Sequence, residues 1–114
     1  MAEYEEIRTT LSRGFSLDNL RKITNLALGI VRDGAPKHPS VFIAIATTSH
    51  WIADAWDRVG LNVHVADRVE RQVKPHLELL LDSADAPHGK VCEVLDDAAT
   101  AFSEAMRQGL DSDL

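Results

Sequence analysis

With 114 residues, 45% of them hydrophobic and 26% charged, the chain is sized for one domain that can bury a core without staples. A single cysteine, Cys92, excludes an internal disulfide and points to a reducing compartment. The net charge of −6 lies wholly after residue 81, where two basic and eight acidic side chains fall, so direct nucleic-acid binding is not expected.

The opening MAEYEEIR is acidic and polar, unlike a secretory leader. The longest unbroken apolar run, Val41–Ala46, is far too short to cross a bilayer. These two observations set the expectation of a cytoplasmic protein with no membrane partner. Apolar residues recur at helical spacing almost everywhere, and no alternating run is framed by hairpin turn residues. The expected fold is therefore all-α.

The first segment, 2–13, places Tyr4, Ile7 and Leu11 on one narrow stripe. Glu3, Glu5 and Glu6 suit the positive end of a helix dipole, and Gly14 ends the segment. So few anchors either dock this helix on the rest or extend it to a partner. A second helix starts at Ser16, whose side chain can cap the amide of Asn19, with Phe15 and Leu20 at hydrophobic-staple positions. Its apolar face carries Leu20, Ile23, Ala27, Ile30 and Val31, widened by Leu26 and Leu28. Gly34 is expected to end it in the left-handed conformation.

The central segment 40–60 is the most apolar and holds both tryptophans. Ser40 is expected to cap it and Gly60 to close it in a Schellman turn, with Leu61 folding back on Trp56. A helical wheel gives it a broad core face through Val41, Ile45, Ile52, Trp56 and Val59. His50, Asp54 and Asp57 lie on a polar face with Thr47 and Ile43. Phe42, Ala46 and Ala53 form an apolar flank.

Asn62 can cap the next helix, expected to run as a single helix kinked at Pro75 to about residue 84, with Ala66, Val69, Val73, Leu77, Leu80 and Ala84 as its seam. Asp85 is expected to cap the last helix. Its seam runs through Val91, Leu95, Ala98, Phe102 and Ala105, its acidic outer side carries Glu93, Asp96, Asp97 and Glu104, and Gly109 ends it before a frayed tail. Short connections favour antiparallel neighbours. The expected architecture is an up-and-down antiparallel four-helix bundle with an additional short N-terminal helix, all in one domain.

No motif names a reaction, and no cofactor is expected. His50 and Asp54, at i, i+4, could share a metal ion or pair as base and orienting carboxylate. A bundle metal site needs inward ligands from other helices as well, and the paired Glu-x-x-His pattern is absent. His64 and Asp67 repeat the theme at i, i+3 one helix later. Arg58, Arg68, Arg71 and Lys74 are the main basic concentration, diluted by Glu70 and Glu78 and without aromatic residues for base stacking. Cys92 sits on an acidic helix and is expected to pack as a small apolar residue.

The flank through Phe42, Ala46 and Ala53, together with Ile43, is the best-motivated functional surface. Small residues there let a second helix approach, so these four are the expected interface of a homodimer. The functional expectation is a non-enzymatic protein that acts by binding another, unidentified protein. One alternative is an acidic inhibitor (an immunity protein, antitoxin or phage inhibitor) of a nucleic-acid-handling partner. The other is a small-molecule- or metal-binding bundle, with or without enzymatic activity, that uses His50 and Asp54.

Overall fold

In a computed structural model, residues 2–34, 36, 39–82 and 88–112 are described. They form five helices, with no strand among them: α1 (Ala2–Ser12), α2 (Leu17–Asp33), α3 (Pro39–Val59), α4 (Val63–Asp82) and α5 (His88–Ser112). None of these helices is long and apolar enough to cross a membrane.

Local chemistry explains most of the ends. Ser16 adopts an extended conformation and its side chain accepts from the Asn19 amide at 3.1 Å, as its position predicts. Phe15 and Leu20 pack in the same cluster, which completes the staple. Gly60 has φ +74°, and its N–H donates to the Trp56 carbonyl at 3.1 Å. That single bond is the αL ending, a simpler closure than the expected Schellman turn. Asn62 Oδ1 then accepts from the Val65 amide at 2.9 Å and starts α4. The helix continues unbroken through Pro75.

Three expected ends are corrected. Gly34 is right-handed, at φ −91° and ψ −12°, and its N–H returns to Ile30 O at 2.8 Å, so α2 ends by its own helical bond rather than by a left-handed stop. Helix α3 begins at Pro39, one residue before the expected cap Ser40; proline suits the first turn because its missing N–H would have no partner there. Helix α5 runs through Gly109 to Ser112, since one glycine costs a helix only about 1 kcal/mol. The expected Asp85 cap and the end of the seam at Ala84 lie outside the described residues.

Packing pairs α2 with α3 and α4 with α5 along their lengths. Helix α3 also packs on α5 and, less extensively, on α4, while α1 lies on α2 and touches α4. The core divides into two clusters. The first joins Ile7 and Leu11 of α1 to Ile23, Ala27 and Ile30 of α2, the N-terminal part of α3, Leu77, Leu80 and Leu81 of α4, and Val91 and Val94 of α5. The second joins Leu20 of α2, Ile52 and Ala53 of α3, Val65, Val69 and Val73 of α4, and Ala105 of α5. Burying one such large side chain contributes roughly 1.5–3 kcal/mol, and Ile7 and Leu11 are the α1 side chains that pack into the first cluster.

The wheel misplaced a few residues. Val65 and Leu81 are buried on α4, whereas Ala66 is only half-buried. Leu28 and Val59 are exposed although each was expected on a core face, and Cys92 is exposed rather than packed. Val59 ends α3 beyond the last core layer, and Cys92 turns away from its buried neighbour Val91. Thr48 and Ser49 are buried between the two clusters; Thr48 Oγ1 donates back to Ala44 O at 2.9 Å. Ser49 Oγ, like Thr10 Oγ1 on α1, is buried without a hydrogen-bond partner.

A long-range contact closes the α1–α2 turn. Gly14 has φ +91°, and a Cβ there would come within 2.9 Å of Glu70 Oε1. Glu70, on α4, accepts from the Phe15 amide, and Asn19 Nδ2 donates to Gly14 O at 2.9 Å. The glycine is needed twice over, for its backbone angle and for the close carboxylate.

Candidate functional site: the α2/α3 groove

The four residues expected at an interface divide sharply. Phe42, Ala46 and Ala53 are only 3, 4 and 5% exposed, while Ile43 is 48% exposed. Phe42 and Ala46 belong to the first core cluster and Ala53 to the second. The wheel assigned α3 a single core face, but α2, α4 and α5 all pack on it. Its apolar flank is therefore consumed inside one chain, and no second copy is needed to bury it. Ile43 alone of the four presents an apolar side chain to solvent.

The polar face of α3 meets α2 along an open groove. At one end a cavity of about 410 Å³ is lined by Arg21, Thr24 and Asn25 of α2 and by His50, Ala53, Asp54 and Asp57 of α3. Beside it a second cavity, of about 320 Å³, is lined by Thr24, Leu28, Ala46, Thr47 and His50. Thr24 and His50 line both. Ala46 and Ala53, small and nearly buried, form the floor. Leu28, 48% exposed, supplies an apolar wall.

The charged groups are mostly paired. Arg21 Nη2 lies 3.4 Å from Asp57 Oδ2 across the groove, and Arg58 Nε donates to Asp54 Oδ1 at 2.8 Å along α3. Near the far end of α2, the Arg32 guanidinium donates to both carboxylate oxygens of Asp33, at 3.0 and 2.8 Å. That hydrogen bonding holds the Asp33 carboxyl below its usual pKa and raises that of Arg32. All of these pairs are exposed, where an ion pair contributes little to stability.

Asp54 thus serves Arg58, and His50 lies on the wall shared by the two cavities. Among the described residues no three His, Cys, Asp or Glu side chains are grouped to hold a metal ion. The second histidine pair is also separated from this groove. Asp67 lines a different cavity of about 280 Å³ with Phe15, Trp56, Leu61, Val63, Ala66 and Glu70, and Asp67 Oδ2 lies 3.2 Å from Arg71 Nε. The basic concentration is likewise drawn into local pairs at Arg58 and Arg71.

Sequence reasoning found His50, Asp54 and Asp57 but missed their α2 neighbours Arg21, Thr24 and Asn25. No local signal could have supplied them, because the groove exists only once α2 lies on α3. No protein-family model matches the chain, and neither curated proteins nor solved structures give a match.

Proposed function

We propose that the chain acts by protein–protein interaction as a homodimeric regulator or adaptor in the cytoplasm, without catalysing a reaction. The observation that carries this reading is the outer side of α2 and α3, where Leu28 and Ile43 stand exposed beside a groove floored by Ala46 and Ala53. Exposed apolar side chains gathered at a groove suit an interface better than a solvated surface. This reading takes α2–α5 as an up-and-down antiparallel bundle with α1 added. The alternation of helix halves between the two core clusters supports it. Residues early in α3 and α5 join the first cluster with residues late in α4, and the opposite ends join the second.

Light scattering coupled to size exclusion tests the dimer. At high micromolar concentration the expected mass is twice the 12.6 kDa of the chain; a monomer at that concentration contradicts it. A second reading, ligand binding in the same groove, is favoured by its volume of about 410 Å³ and its lining of Arg21, Asn25, His50 and Asp57. Metal analysis of purified protein separates the two: stoichiometric metal that is lost in His50→Ala would displace the first reading.

A further inference from the structure

The α2/α3 groove has a property that follows from its register. The Arg21–Asp57 ion pair and the residues that the two cavities share, Thr24 and His50, set that register. Leu28 is level with Ala46 and Thr47, Thr24 with His50, and Arg21 with Asp54 and Asp57. Across the groove, then, Leu28 faces Ala46 and Thr47 at one end, and at the other Arg21 faces Asp57 beside the Asp54–Arg58 pair. The ion pair Arg21–Asp57 marks the charged end.

We infer that a second copy of the chain docks on this face, with a two-fold axis running along the groove parallel to the helices. This inference rests on the homodimer reading above and names its surface. A rotation about such an axis keeps every residue at its own height and exchanges α2 for α3. Helix α2 of one copy then lies over α3 of the other. Leu28 comes down on the partner's Ala46 and Thr47, while Arg21 comes down on the partner's Asp54 and Asp57. Both contacts occur twice, as an isologous interface requires. Ile43, on the same stripe as Thr47 and His50, meets the partner copy's α2 beyond Leu28 by the same register.

An axis across the groove instead would lay Arg21 and its carboxylates over the partner's apolar end and desolvate charge against Leu28 and Ile43. Charge complementarity therefore selects the axis along the groove. The face is of modest size. Helix α2 has 17 residues, about 25 Å of length at 1.5 Å per residue, and two helices side by side are about 20 Å wide. That falls below the roughly 800 Å² per partner of a standard interface, so the dimer is reversible and depends on concentration.

The test uses two full-length charge reversals, Arg21→Asp and Asp57→Arg, by sedimentation equilibrium alone and in equimolar mixture, with circular dichroism to check that each stays helical. Each variant alone places like charges opposite one another twice, so its dimerisation is expected to weaken at least about tenfold. The mixture pairs opposite charges at both contacts and is expected to restore dimers to the wild-type level. Leu28→Lys is a third arm, which weakens the dimer without altering the pairing. A mixture that stays monomeric while both variants remain helical overturns the proposed axis. Variants that dimerise like the wild type overturn the surface but leave the homodimer reading standing. A wild-type monomer at high micromolar concentration overturns both and leaves the face to a different protein.

Discussion

The α2/α3 and α4/α5 pairs are built alike inside, but the outer sides of α2/α3 and of α5 are finished differently. Each pair packs along its length and feeds both core clusters. The outer side of α5 is covered by exposed charges, Lys90, Glu93, Asp96, Asp97 and Glu104. The groove side of α2/α3 instead carries Leu28 and Ile43 at its apolar end and Asn25, Thr47 and His50 beside them, with its opposite charges at the other end. Burial alone does not explain the difference, because the core is complete without Leu28 or Ile43. A helix surface that needs only to be soluble resembles α5. In the proposed reading, the α2/α3 side is the one that serves contact.

Several substitutions can break or sharpen that contrast. The largest effect is expected inside. Ile45 is 1% exposed and Ile43 is 48% exposed, two residues apart on α3. Ile45→Ala should lower unfolding free energy by roughly 2–5 kcal/mol in urea. Ile43→Ala should change the monomer's stability by less than about 0.5 kcal/mol, measured at a concentration too low for association. Equal losses at the two sites would mean that Ile43 belongs to the core and that the outer face is not free for a partner.

Next comes the contact between α4 and the α1–α2 turn. Glu70→Ala removes the acceptor of the Phe15 amide and should cost roughly 1–3 kcal/mol, since a partly buried donor is left unpaired. Gly14→Ala should also destabilise, because φ +91° is strained for a side chain and the added Cβ meets Glu70. The cap variants Ser16→Ala and Asn62→Ala should each cost about 1 kcal/mol by thermal or urea unfolding.

The smallest effects, and one with the opposite sign, come last. Arg8→Ala breaks an exposed 3.0 Å pair with Asp82 and should cost less than about 1 kcal/mol. Ser49→Ala removes a hydroxyl that is buried without a partner, and should leave stability unchanged or raise it. A clear loss at Ser49 would show that the hydroxyl is satisfied in solution.

Local signals made most of the fold legible. Ser16 with Phe15 and Leu20, Gly60, and Asn62 each act within five residues, so their chemistry can be read directly from sequence. The wheel likewise found Leu20, Ile23, Ala27 and Ile30 on α2. Its failures share one cause. An angular position says which residues share a side, not how many neighbours that side has. Helix α3 has three packed neighbours, so Phe42, Ala46 and Ala53 went inside; α2 packs closely on α1 and α3 and leaves Leu28 out. Gly109 shows that glycine permits a helix end without requiring one, and Gly34 that a glycine at an end need not be left-handed. Glu70 could not be assigned because its partner is 55 positions away. Of the candidate site, the α3 half was readable from the His50–Asp54–Asp57 spacing, while the α2 half required the register between helices.

That register is also the most direct thing to test. In a Cys92→Ser background, chains carrying Leu28→Cys and chains carrying Thr47→Cys can be mixed and mildly oxidised. If α2 of one copy lies over α3 of the other, disulfide-linked dimers form preferentially between the two kinds of chain, and Ile43→Lys suppresses them. Cross-linking no greater in the mixture than in either variant alone, under conditions where the wild type is dimeric, would contradict the α2/α3 interface.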